Sequence, residues 1–398
     1  MTLANGRHYL AIPGPSVMPD RVLRAMHRPA PNIYTGALVD MTHTIADDLK
    51  RVARTEQHVA MYIANGHGAW EAALVNVLSR GDKVLVLATG RFCVGWGEMA
   101  AKMGIEVETL DFGKRSDIDL AQVEEALRAD KAHAYKAVLS VQVDTSTSVL
   151  NDIKGLRAAM TAANHPALLM VDCIACLGCD RFEMDEWGVD IMVAGCQKGL
   201  MTPPGMAFVF FSDKADAARE SADLVTHYWD WRPRVTPAEY YRYFDGTAPT
   251  HHLFGLREAL DMIFEEGLEA VWARHATLAR AIWAAFDAWG QHGPLELNII
   301  DPTKRSTAVT AIRATAPEGT QLRNWLSETA GVTLGIGLGM GTDTDPAGDG
   351  FFRVGHMGHV NAQMVMGVLG AIQTGLEALD IPHAKGALDA ATAAMSAA

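Results

Sequence analysis

Nowhere does this chain run 18 apolar residues without interruption, so no membrane-spanning helix is expected of it. Nor does the opening stretch Met-Thr-Leu-Ala-Asn-Gly-Arg-His hold an apolar run of signal-peptide length, and a cytoplasmic protein is the expectation. Positive charge is in the minority: 34 Lys and Arg stand against 47 Asp and Glu, a formal net charge of −13. A surface built for nucleic acid or for an anionic membrane is therefore not expected. Cysteine is scarce, and its odd count of five does not make a disulfide framework. Internal repeats, low-complexity tracts and Pro- or Ser-rich linkers are also missing. What is left is an ordinary globular composition, 49% hydrophobic and 20% charged, in a chain whose 398 residues suit two domains.

The middle of the chain alternates short apolar runs with helical patterns. Lys83–Ala88, Glu106–Leu110, Ala137–Val143, Leu168–Asp172, Asp190–Ala194 and Ala207–Phe211 read as strands, with helical stretches at Glu98–Met103 and Leu120–Ala129. Continuous apolar strands separated by helices predict an α/β layer around a mostly parallel sheet buried on both faces. Ligands of such sheets bind beyond the carboxyl ends of the strands, so the informative residues should follow each run. Tyr228–Phe244 is aromatic and charge-rich with little periodicity. A long helical pattern then covers Leu256–Gly290, with Gly267 as its expected interruption. Strand-like Ala308–Arg313 and Phe351–Val354, with helical Asn361–Ala378, indicate a smaller α+β unit. The expected division is an N-terminal segment 1–19, a large domain 20–260 and a small domain 261–398.

Three places follow apolar runs and carry chemistry. Asn65-Gly66-His67-Gly68-Ala69 lies between the Val59–Ala64 run and a helical stretch, Ala69–Leu78. Glycines opening a helix let backbone N–H groups approach an anion such as phosphate, although the same residues also make a plain N-cap. Asp172 closes its run; a carboxylate there could keep a ring nitrogen protonated, or merely cap a turn. Lys198, in Ala194-Gly195-Cys196-Gln197-Lys198-Gly199, follows another buried strand, and burial favours the neutral amine that forms Schiff bases. The combination of glycine loop, strand-end Asp and strand-end Lys is more specific than any one of them.

These motifs, with Pro13-Gly14-Pro15 before them and Phe352-Arg353-Val354-Gly355-His356 after, resemble the class V (fold type I) aminotransferases. The likeness runs in order along nearly the whole chain, and is nearest to the alanine– and serine–glyoxylate branch, with pyridoxamine–pyruvate aminotransferase also similar. It implies a pyridoxal 5'-phosphate enzyme that moves an amino group from a small amino acid to glyoxylate or pyruvate by a ping-pong cycle. Lys198 would hold the cofactor and then serve as base, and Asp172 would face the pyridine nitrogen. Asn65, Gly66, His67, Gly68 and the Gln197 side chain would bind phosphate. Phe92 would stack on the ring, Ile174 would pack on its other face, and Thr145 would lie near its phenolic oxygen. Thr247 would reach the phosphate of the neighbouring subunit in a homodimer with shared sites. Arg353 would clamp the substrate carboxylate, with Gly14 and Tyr34 beside the substrate.

Departures from the pattern bear on the substrate. Residues 31–35 read Pro-Asn-Ile-Tyr-Thr where serine–glyoxylate enzymes tend to carry Asp-His-Arg-Ser. Residues 144–148 read Asp-Thr-Ser-Thr-Ser where Glu-Thr/Ser-x-Thr-Gly is usual, so Ser148 replaces a glycine. Two other readings stay in view. Cys173, Cys176 and Cys179, with Cys196 as a fourth, have a spacing that iron–sulfur clusters or zinc use, against which stands the packing of small thiols behind a cofactor. Pyridoxamine itself could be the donor, in which case no phosphate would be needed.

Overall fold

The computed structural model describes residues 2–397. Its larger sheet has seven strands: β2 (His58–Tyr62), β3 (Lys83–Ala88), β4 (Glu106–Asp111), β5 (Tyr135–Val141), β6 (Leu168–Asp172), β7 (Ile191–Gly195) and β8 (Ala207–Phe211). Their order across the sheet is β2-β8-β7-β6-β5-β3-β4, with all neighbours parallel except those of β8, which runs against both β2 and β7. Every residue of β6, β7 and β8 is buried, as continuous apolar runs require when helices cover both faces. The sheet is thus the mostly parallel layer expected from the sequence.

The second sheet gathers β9 (Glu296–Leu297), β10 (Val309–Arg313), β11 (Val332–Ile336) and β12 (Phe351–Gly355), together with β1 (Tyr9–Ala11) from the other end of the chain. β1 lies parallel to β11 on the sheet edge, while β12 runs antiparallel between β11 and β10. Its core is separate from that of the large sheet and includes Leu278, Ile282, Phe286, Trp289, Phe352 and Leu369.

Two long helices join the units, Thr250–Glu266 and Leu268–Trp289, and they break at Gly267, whose φ of 90° suits glycine. The expected boundary at 260/261 therefore lies inside a continuous helix. Val271 still packs on the large core and Leu278 on the small one, so we propose that the units divide within the second helix. The aromatic passage after β8 is anchored by Arg234, which donates to the carbonyls of Met61, Tyr228 and Tyr243 between the rings of Tyr62 and Tyr228. Four helices matter below: α1 (Asp20–Met26), α2 (Ala37–Ala53), α3 (Gly66–Val75) and α4 (Arg91–Lys102). Among the described residues no helix is long and apolar enough to cross a membrane.

Candidate active site

The carboxyl ends of β2, β3, β5, β6 and β7 converge, and each delivers a residue singled out by sequence. Asp172 is the last residue of β6 and is buried. Its Oδ1 accepts from the Ile174 N–H at 2.6 Å and its Oδ2 from the Trp70 indole N–H at 2.7 Å. Both donors are neutral, and burial pushes the carboxyl up to about 7 against their pull. Asp172 thus has no cation in contact, and a protonated ring nitrogen would supply one.

Lys198 follows β7 and is itself largely buried, which brings its amine down to about 8, with the nearby Arg353 charge acting in the same direction. Its Nζ donates to the Pro13 carbonyl. A side chain on Gly14 would collide with the Lys198 stem, so glycine at that position is a matter of space. Gly14 therefore lines the lysine rather than standing apart from it. Beside it, the Gln197 Oε1 is buried without a hydrogen-bond partner. Turning that amide would present its N–H groups at the same place to an incoming acceptor.

At the start of α3 the expected anion cradle is already partly engaged. Asn65 is the N-cap, and its side-chain oxygen accepts from the N–H groups of His67 at 3.1 Å and Gly68 at 3.3 Å. A phosphate would have to take over these donors, leaving the Gly66 N–H as the one already free of this cap. Ile174 closes over Gly66 so tightly that a side chain there would overlap it. His67 lies edge-on to Trp70, with ring centroids 4.5 Å apart.

The opposite wall is organised by Asp144, a residue that sequence reasoning noted only as a departure. Its carboxylate accepts from the N–H of Phe92 at 2.9 Å and from both the N–H and the hydroxyl of Ser146, at 2.9 and 2.5 Å. It therefore caps α4 from outside the helix, and it presses on Gly90 where a side chain would collide. Phe92 meets Trp70 edge to face at 6.3 Å. The Thr145 carbonyl accepts from Arg353 Nη1 at 2.8 Å, and the Ile336 carbonyl from Arg353 Nε at 2.8 Å. Two backbone oxygens hold this arginine, the Asp144 charge favours its ionised form, and its outer N–H groups stay free for a carboxylate. Burial lowers it to about 10, so it remains charged at neutral pH. Ser148 takes the left-handed conformation (φ 63°) that the usual glycine would adopt, and its hydroxyl accepts from the Ala311 N–H at 3.2 Å.

Two expected residues are not brought in. Tyr34 is 81% exposed on a bend before α2, and Thr247 is exposed on the loop before the helix Thr250–Glu266. The cysteines are all buried free thiols: Cys176 donates to Gln142 Oε1 at 2.9 Å and Cys196 to the Pro203 carbonyl at 3.0 Å. Burial raises the thiol pKa of Cys173, Cys176, Cys179 and Cys196, which opposes the thiolate that a metal needs. Trp70, the donor to Asp172, is the residue of this cluster that the sequence hid most completely. In an apolar helix pattern it reads as core.

Comparison with known proteins places these features in a lineage. The family model described as aminotransferase class-V matches residues 8–341. The chain is 39% identical over 379 residues to a serine–glyoxylate aminotransferase of Methylorubrum extorquens, covering 93% of this chain and 91% of that one. It is 37% identical over 377 residues to an L-aspartate–glyoxylate aminotransferase of Paracoccus denitrificans, with coverage of 93% and 91%. Among solved structures, pyridoxamine–pyruvate aminotransferase from Mesorhizobium loti matches with a TM-score of 0.87 and 25% identity over 100% of both chains.

Proposed function

This chain belongs to the class V aminotransferases, and from that premise we propose that it transfers an amino group from a small amino acid to glyoxylate with pyridoxal 5'-phosphate as cofactor. The observation that carries the reading is a pairing: a buried lysine amine brought down to about 8, and a buried carboxylate with only neutral partners. The orphaned Gln197 oxygen fits the same cofactor, and the glycines at 14 and 66 let Lys198 and Ile174 close in around it. When bound, that cofactor supplies an electron-withdrawing ring able to take up the electron pair left at the donor's Cα.

The residues then divide the work. Lys198 anchors the cofactor through Nζ, and near neutral pH a share of its amine is uncharged and can take the Cα proton and return it. Asp172 keeps the ring nitrogen charged. Phe92 and Ile174 flank the ring plane, and Thr145 offers its hydroxyl to the phenolic oxygen. Gly66, His67, Gly68 and Gln197 hold the phosphate, Asn65 yielding its two N–H groups. Arg353, already fixed by Thr145 and Ile336, offers its outer N–H pair to the carboxylate of donor and acceptor alike. Tyr34 and Thr247 complete the site from a second copy, in a homodimer; their exposure in the single chain supports this. Five free buried thiols support a reducing compartment such as the cytoplasm.

One observation favours a second reading. Because Asn65 already caps the N–H groups of His67 and Gly68, a phosphate-free donor such as pyridoxamine also suits the site. Single-turnover half-reactions with serine, alanine, aspartate and pyridoxamine, followed by absorbance, separate the two. Conversion by an amino acid with glyoxylate as acceptor supports the first reading. Conversion by pyridoxamine alone, in protein that needs no added phosphate ester, replaces it.

A further inference from the structure

The Trp70 indole is held on every side. The residue is 2% exposed, its ring lies nearly parallel to that of buried Trp96 (centroids 6.1 Å, 16°), and the Trp96 N–H donates to the Trp70 carbonyl at 3.4 Å. Gly95 lies against the indole edge, where a side-chain carbon would sit at ordinary contact distance, 3.5 Å. His67 and Phe92 close the remaining sides. From that position Trp70 Nε1 reaches Asp172 Oδ2 at 2.7 Å, across 102 residues of sequence.

An indole N–H can donate but never accept, and so can the Ile174 N–H on the other oxygen. A neutral Asp172 carboxyl would need an acceptor for its own proton, and neither partner provides one. The pair of donors is therefore matched to the ionised carboxylate, and it also fixes the rotation of the carboxyl plane. We propose that Trp70 is a positioning residue of the reaction, its indole N–H holding Asp172 ionised and correctly rotated for the ring nitrogen while its ring edge steadies His67 at the phosphate end. One side chain thereby links the two ends of the cofactor site. This rests on the reading of Asp172 as partner of the ring nitrogen.

The groups around Asp172 set the electrostatic background. Lys198 after β7 favours its charge, Asp144 after β5 opposes it, and the thiols of Cys173, Cys176 and Cys93 all sense it from the turn after β6 and from α4. Trp70 on α3 adds a donor without adding a charge. Its removal should therefore raise the pH at which Asp172 ionises, by roughly one unit for the loss of one bond to a charged group.

The test uses Trp70→Phe, which keeps a ring without the N–H, and site-specific replacement of Trp70 by benzothienylalanine, in which sulfur takes the place of the N–H at unchanged ring size. In cofactor-free protein, thermal stability measured against pH should decline with rising pH as Asp172 ionises. Both variants should extend that decline upward by roughly one pH unit, and Asp172→Asn should remove that component. In the loaded enzyme, where the ring nitrogen pairs with Asp172, the acid limb of the half-reaction should also move up, with the loss greatest on the acid side of the profile and little loss near pH 9. Trp70→Phe made on top of Asp172→Asn should add little. A loss equal at all pH values, an unmoved stability curve, or full additivity in the double variant would each reduce Trp70 to core packing. Wild-type half-reaction rates in Asp172→Asn would instead overturn the assignment of Asp172, and this proposal with it.

Discussion

The floor of the site and its rim are built on different terms. On the floor, Asp172 and Asp144 are buried at or just past strand ends, Lys198 is largely buried after β7, Arg353 is buried in the middle of β12, and each is held by hydrogen bonds within the one chain. At the rim proposed for a dimer, Tyr34 and Thr247 sit exposed on loops of the single chain. A buried polar group must find partners or be penalised, so the floor is over-determined by packing. The rim carries no such penalty and is free to vary. The chemistry of the reaction should therefore be robust, and the choice of donor should lie where the structure is least constrained.

The sharpest way to break that contrast is Lys198→Ala. The floor reading expects the covalent link to be lost and the half-reaction to fall by about three orders of magnitude or more, with the fold retained. Borohydride reduction of the wild type followed by peptide mapping should place the label on Lys198. A label on any other lysine would mean that the floor has been misread.

Asp172 gives the next effect, and its pH dependence has a definite sign. Burial places its folded-state pKa at about 7, above the ordinary carboxylate range near 3.8. Its contribution to stability is thus fully present below pH 4 and lost as pH rises through 7, with a ceiling of about 4 kcal/mol. Cofactor-free protein should therefore melt progressively lower between pH 4 and 7 from this group, and Asp172→Asn should flatten that slope in part. Asp144 and Asp180, buried with carboxyls raised in the same direction, account for a share that remains. With cofactor bound the penalty should be offset, while Asp172→Asn slows the half-reaction by about a hundredfold.

Much of the floor was legible from sequence because it follows a rule with a physical cause. Loops after buried parallel strands must carry the ligand groups, so Asp172 and Lys198 announce themselves by following apolar runs. What escaped was long-range. β1 is three residues long and pairs with β11 more than 300 residues away, which no local pattern reveals. Asp144 caps α4 from 52 residues downstream, and Trp70 reaches Asp172 across the sheet from within an apolar helix. α2, amphipathic and 17 residues long, was readable in principle from its buried stripe Leu38, Thr42, Ile45, Leu49 and Val52, and was not read. Arg353 was identified but its partners were not, because backbone carbonyls leave no signature in sequence.

Those partners sharpen the expectation for Arg353→Lys. An ammonium cannot span the Ile336 and Thr145 carbonyls and still present a fork to a carboxylate. The expected loss in kcat/KM is roughly ten- to a hundredfold for glyoxylate and for any amino acid donor. Pyridoxamine has no carboxylate, so its half-reaction should be almost unchanged. Equal efficiency of the variant with every keto acid tested would make Arg353 a brace between β12 and the loop after β5, and no more.

The smallest effect belongs to Asn65, where floor and rim meet. Asn65→Ala removes an N-cap, which costs about 0.5–2 kcal/mol, and should lower the melting point of cofactor-free protein by about 1–2 °C. The same change releases the N–H groups of His67 and Gly68 at the positive end of α3. If phosphate is the group received there, the wild type must first displace the Asn65 side chain, and the variant need not. Loss of the cap and gain of free donors then nearly cancel, so affinity for the cofactor should change by less than about threefold. Inorganic phosphate should raise the melting point of cofactor-free Asn65→Ala more than that of the wild type, because the variant starts with two more unpaired donors, the N–H groups of His67 and Gly68. If phosphate stabilises neither protein, no anion is received at α3, and the phosphate-free donor becomes the better description of the site.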